Sequence, residues 1–87
     1  MSSFFENIPY EDAEQIDRTT KFMYELRESR QRLLEQHGVE SEDQIKQSLV
    51  EMRVAEHPTY EDYLSASILE EARLTIRQEL KSYLKEL

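Results

Sequence analysis

The chain has no cysteine and no tryptophan, and only one glycine and two prolines among its 87 residues. Without cysteine there are no disulfides, thiolate metal sites or cysteine nucleophiles, and nothing argues for an oxidising compartment, so a cytoplasmic location is expected. One glycine cannot build a loop that cradles a phosphate, and so little turn chemistry leaves no material for β-hairpins. No stretch approaches the roughly 18 apolar residues of a membrane span. Met1 to Glu6 lacks the basic and long apolar regions of a signal peptide, so a soluble, unprocessed chain without a membrane partner is expected. Both histidines, His37 and His57, fall outside the H-E-x-x-H and E-x-x-H spacings of helical metal sites, and no metal or cofactor is expected.

What is present suits helices. Glu, Leu, Arg, Gln and Ser dominate, and an all-α fold follows. The dipeptide Glu-Asp occurs three times, as Glu11-Asp12, Glu42-Asp43 and Glu61-Asp62, each just before a helical apolar pattern. Carboxylates belong in a first helical turn, where backbone N–H groups lack partners and the helix dipole is positive. The pairs predict three helices over about 9–37, 42–55 and 60–86, forming one domain after a short apolar arm, residues 1–8, with Phe4, Phe5 and Ile8.

The boundaries have their own signals. Asn7 and Pro9 open the first helix, and Gly38 closes it in a left-handed conformation, with Leu34 and Val39 as the accompanying apolar pair. Ser41-Glu42-Asp43-Gln44 reads as a capping box in which the Ser41 and Gln44 side chains bond each other's N–H groups. Pro58 ends the second helix by pushing His57 out of helical geometry, and Thr59 caps the third. Each histidine, placed where a helix ends, is expected to meet the free carbonyls there.

The apolar stripes are long. Ile16, Met23, Leu26, Leu33 and Leu34 mark the first helix, and Ile45, Leu49, Met52 and Ala55 the second. The third carries Tyr60, Leu64, Ile68, Ala72, Ile76, Leu80, Tyr83, Leu84 and Leu87, widened by Tyr63, Leu69 and Leu74. Helices of about 27 residues extend roughly 40 Å, whereas a compact chain of this length has a radius of gyration near 12 Å. Two long antiparallel helices with a short connecting one are therefore expected, completed by a second copy or another protein. The interface is expected at Met23, Leu26, Tyr60, Tyr63, Leu64, Ile76, Leu80, Tyr83, Leu84 and Leu87.

The formal charge of −8 is unevenly spread: residues 35–62 hold eight acids and two bases, residues 18–34 two acids and five bases. Glu40, Glu42, Asp43, Glu56, Glu61 and Asp62 form an acidic patch able to steer a basic partner. Arg73, Arg77, Lys81 and Lys85 recur every four positions, but such a row spirals and has Glu70, Glu79 and Glu86 among it. A solvated face, with no nucleic-acid partner, is the reading adopted.

A second arrangement of acids points to chemistry. Glu11-x-x-Glu14, followed further on by Glu40-x-x-Asp43, resembles the E-x-x-E … E-x-x-D pattern of the all-α nucleotide pyrophosphohydrolases of the MazG and dUTPase type. The resemblance implies a Mg²⁺ ion held by four carboxylates against a triphosphate. First-turn acids need no metal to explain them, and the expectation adopted is a non-enzymatic acidic interaction protein of the antitoxin, immunity-protein or anti-regulator kind. A structural subunit that completes another helical bundle is a further alternative.

Overall fold

Pro9 opens the first helix, its carbonyl accepting the N–H groups of Asp12 and Ala13 at 3.0 Å each. The computed structural model describes residues 8–87. Within them α1 is Tyr10–Gln36, α2 is Glu42–Val50 and α3 is Glu56–Glu86. The expected arm residues Phe4 and Phe5, and the expected cap Asn7, lie outside the described residues. The fold is all-α: the long α1 packs against α3, and the short α2 lies between them in sequence and across α3 in space.

Glycine ends α1 as its position dictates. Gly38 adopts φ 62°, its N–H donates to the Glu35 carbonyl, and the Val39 N–H donates to the Leu34 carbonyl. This is a Schellman ending, and Leu34 and Val39 both enter the core beside it. The same motif recurs where no glycine announces it. Met52 takes φ 56°, its N–H donates to the Leu49 carbonyl, and Arg53 donates to the Ser48 carbonyl. Therefore α2 stops at Val50 instead of running to Ala55, and Pro58 has no part in ending it.

The start of α3 also differs from expectation. His57 is extended at φ −108° and ψ 133°, as a residue before proline tends to be, so regular helical geometry in α3 begins only after it, and it has no part in closing α2. Thr59 is buried and makes no capping bond, while Glu61-Asp62 stays close to the start of the helical run that follows His57. The capping box at α2 is altered too. Ser41 makes no side-chain cap, and Gln44 Oε1 accepts from the Glu40 N–H at 2.6 Å.

The two long helices form an antiparallel hairpin along a seam with the alternating three- and four-residue spacing of a left-handed coil. On α1 it runs through Ile16, Thr19, Met23, Leu26, Arg30 and Leu33. On α3 it runs through Ala66, Leu69, Arg73, Ile76, Leu80 and Tyr83. All are buried or half-buried. Polar pairs set the direction: the Tyr83 hydroxyl donates to the Asp12 carboxylate at one end, and His37 Nε2 lies 2.8 Å from Asp62 Oδ2 at the other. Neither histidine therefore caps a carbonyl with its ring, since His57 Nδ1 meets Glu61 Oε1 at 2.5 Å.

The deep core is small. Leu34, Ile45 and Ala66 meet where α2 crosses the hairpin, joined by Leu33, Val39, Leu49 and Tyr63. Beyond them the molecule is a rod, with extents of 55 × 20 × 19 Å and a radius of gyration of 17.5 Å.

The two left-handed positions generate opposite expectations. A Cβ at Gly38 meets nothing within 4 Å, so Gly38→Ala acts through the backbone alone and destabilises by about 1 kcal/mol. Met52→Gly relieves that conformation and, after the entropy of the added glycine, stabilises by about 0.5 kcal/mol. Urea denaturation of the two variants beside the parent protein checks both signs.

Candidate functional site

The four carboxylates of the hydrolase-like pattern do not share a site. Glu11 and Glu14 lie in the first turns of α1, whereas Glu40 precedes α2 and Asp43 lies in its first turn, beyond the other end of α1. The 25 residues from Glu11 to Gln36 rise about 37 Å, several times the reach of one cation. Glu14 is instead bonded to Arg18 at 2.7 Å on the exposed face of α1. Among the described residues no group of three His, Asp or Glu side chains is placed to hold a metal.

Charge gathers elsewhere, at the crossing of all three helices. Arg30 of α1 donates from Nε to Glu42 Oε1 of α2 at 2.8 Å and stands 3.6 Å from Glu70 Oε2 of α3. Arg73, one turn further along α3, holds both Glu70 oxygens, with Nε donating at 3.0 Å and Nη2 at 2.7 Å. All four side chains are mostly buried. The hydrogen bond from Arg73 keeps the Glu70 carboxyl below its ordinary range; burial works against that, while the charges of Arg73 and Arg30 reinforce it. In return Glu70 raises the pKa of the Arg73 guanidinium. At the far end of the hairpin, the bond to Asp12 raises the pKa of the Tyr83 hydroxyl.

These pairings divide the expected acidic patch. Glu42 belongs to the three-helix cluster, Asp62 to His37 and Glu61 to His57. Glu40, Asp43, Glu56 and Glu61 are exposed at the α2 end of the rod, Glu61 with its His57 partner also in solvent. The outward-facing acids of the patch therefore come from the turn before α2, the first turn of α2 and the first two turns of α3.

The expected apolar interface divides as well. Met23, Leu26, Ile76, Leu80, Tyr83 and Leu84 are half-buried along the hairpin, and Tyr63 packs on the core. Tyr60, Leu64 and Leu87 are exposed. The reason is geometric: a row of residues every fourth position turns 40° per step, so the row starting at Tyr60 faces away from α1 and enters the seam only at Ile76.

Sequence reasoning missed a second patch at the elbow between α2 and α3. Val50, Met52 and Val54 are exposed there, Met52 by 89%, and Met52 and Val54 with Tyr60 line an open groove of about 320 Å³. Leu49 lines its inner wall and Glu56 its rim. A signal was present: Val50, Met52 and Val54 alternate at a spacing of two, which no helix can place on one face. Phe22, 49% exposed beside Ile76, was missed too, because it lies just off the α1 stripe.

The three-helix cluster makes stability pH-dependent. Glu70 has a depressed folded-state pKa, so its contribution is present above the unfolded value of about 4.3 and is lost as pH falls through the lower folded value. Glu70→Ala is expected to destabilise by about 1–2 kcal/mol, Arg73 losing its partner while Arg30 keeps Glu42. Glu70→Gln should flatten the acid limb of the stability curve, measured by thermal melts from pH 7 to about pH 3.

No helix among the described residues is long and apolar enough to cross a membrane. No curated protein and no solved structure is a match to the chain. A family model does match, over residues 13–87, which takes in nearly all of α1 and the whole of α2, the elbow and α3. On that match the chain belongs to the uncharacterized protein MJ0235 family.

Proposed function

We propose that this protein is a non-enzymatic interaction module whose acid-rich end receives a basic amphipathic segment of another protein. The observation that carries the reading is the elbow groove. A monomer that leaves Met52, Val54 and Tyr60 in water around one concavity presents a contiguous apolar patch, and such patches mark contact sites. Methionine suits the role, because an unbranched, polarisable side chain adapts to the shape of what it meets.

Charge supplies the sign of the partner. Glu56 stands on the groove rim, and Glu40 and Asp43 are exposed at the same end of the rod. The surrounding stretch, residues 35–62, has eight acids against two bases. A cationic segment is drawn towards such a field and an anionic one is repelled, which favours a basic protein over nucleic acid. The apolar floor then provides the short-range contact, while the rim acids set approach rate and orientation.

Immobilised protein exposed to host lysate at low salt is expected to retain a basic protein and to release it at about 0.5 M NaCl, where the screening length falls to a few ångströms. Met52→Lys with Val54→Lys should weaken the capture at least tenfold without loss of helix content by circular dichroism. Recovery of no basic protein, or capture indifferent to both salt and the double substitution, would overturn the reading.

A further inference from the structure

Three hollows on the side of the hairpin away from α2 share their walls. Ile68, Ala72 and Ile76 line the first, of about 330 Å³, with Glu71 on its edge. Ile76 also lines the second, of about 390 Å³, together with Phe22 and Thr19 of α1 and Glu79 of α3. Thr19 and Glu79 continue into the third, of about 330 Å³, beside Leu80 and Tyr83. Together they make one open groove along the line where α1 meets α3. From Ile68 to Tyr83 it rises about 22 Å, the length of a helix of about 15 residues.

The floor is apolar. Ala72, Ile76, Leu80 and Tyr83 are half-buried, while Phe22 on the α1 side and Ile68 on the α3 side are 49% and 63% exposed. None of these residues belongs to the core on which α2 packs. Ile68 and Ala72 lie two residues either side of Glu70, so they point about 160° away from the side chain that meets the Arg30–Glu42 pair. The groove therefore occupies the opposite face of the hairpin from α2.

Charge names the kind of occupant. Of the charged side chains that line the groove, Arg18 is already held by Glu14 at 2.7 Å. Glu71 and Glu79 are exposed and form no ion pair among the described residues. Neither has a lysine or arginine three or four residues away on α3. Arg77 and Lys81, two residues either side of Glu79, lie about 160° round the helix from it. Two unanswered carboxylates, about 12 Å apart along α3 beside an apolar floor, attract a ligand that is apolar on one face and cationic at its edges.

We infer that this groove receives one basic amphipathic α-helix of another protein, laid along the hairpin with its apolar face on Phe22, Ile76 and Leu80 and its cations beside Glu71 and Glu79. This is helix-in-groove recognition, in which apolar anchors recur every three or four residues. The groove shares no lining residue with the elbow, so neither reading depends on the other.

The probe is a fluorescent peptide of about 16 residues with leucine on one helical face and lysine on the other. Binding is measured in the Met52→Lys, Val54→Lys background, so that the elbow makes no contribution. Micromolar affinity is expected there, with a gain of helix in the peptide. Adding Phe22→Lys and Thr75→Lys, both at exposed positions, should weaken binding at least tenfold without changing the helix content of the free protein. Adding Glu71→Gln and Glu79→Gln instead should weaken it about threefold and reduce its dependence on salt. No binding in the elbow-substituted background at about 100 µM peptide overturns the inference. If the parent protein binds the peptide and that background does not, the elbow reading is supported and this one fails. Indifference to Phe22→Lys with Thr75→Lys, or equal affinity for a peptide with glutamate in place of lysine, also overturns it. Sedimentation equilibrium tests a second copy as the occupant: a dimer of the free chain that Phe22→Lys with Thr75→Lys dissociates overturns the inference too.

Discussion

Among the described residues, Arg30 is the one side chain that reaches both of the other helices by charge. It is carried by α1, donates to Glu42 on α2 and stands beside Glu70 on α3, while Arg73 takes up the remaining valence of Glu70. The apolar core at this crossing is only Leu34, Ile45 and Ala66 with a few half-buried neighbours, too small by itself to select one orientation of a nine-residue helix. Hydrophobic burial is non-directional, and hydrogen-bonded ion pairs are directional. The cluster therefore decides how α2 lies, and through α2 where the elbow and its groove are.

The two helix ends around α2 complete that placement. The Schellman ending at Gly38 turns the chain so that Val39 re-enters the core beside Leu34, and the same geometry at Met52 turns it out again after Leu49. Between them α2 has no freedom to lengthen. At Met52 the side chain is left in water, and the strain of a left-handed backbone at a non-glycine residue coincides with the patch to which a binding role is assigned.

Much of the fold was legible from the residues. Helix number, order and the antiparallel hairpin followed from the Glu-Asp pairs, the stripe of α1 and the single glycine, because capping and periodicity are local. The stop after Val50 was not, since it depends on a left-handed Met52 and methionine gives no warning of that. The α3 stripe was misjudged for a different reason. Its every-fourth-residue row is apolar throughout, but α1 follows a seam of mixed spacing through Ala66, Leu69 and Arg73, of which one member is charged. Less of the candidate site was legible: Tyr60 and Leu64 are exposed, but Leu80 and Tyr83 enter the seam with α1, and Glu42 and Asp62 are half-buried in pairs within the molecule. Pairings over 12 to 71 residues of sequence separation, such as Arg30 with Glu42 and Asp12 with Tyr83, have no local signature.

The polar pairs along the hairpin act as a vernier. Asp12 with Tyr83, Arg30 with Glu70 and His37 with Asp62 occur near one end, in the middle and at the other end of the same seam. Leucines and isoleucines would tolerate a slip of α3 along α1 by one heptad, about 10 Å, because the apolar spacing repeats. The three pairs do not repeat, so such a slip would part all of them at once. Two helices with an almost interchangeable apolar seam are thereby held to a single alignment, and the open face of the rod keeps one fixed pattern of ridges and hollows along its length.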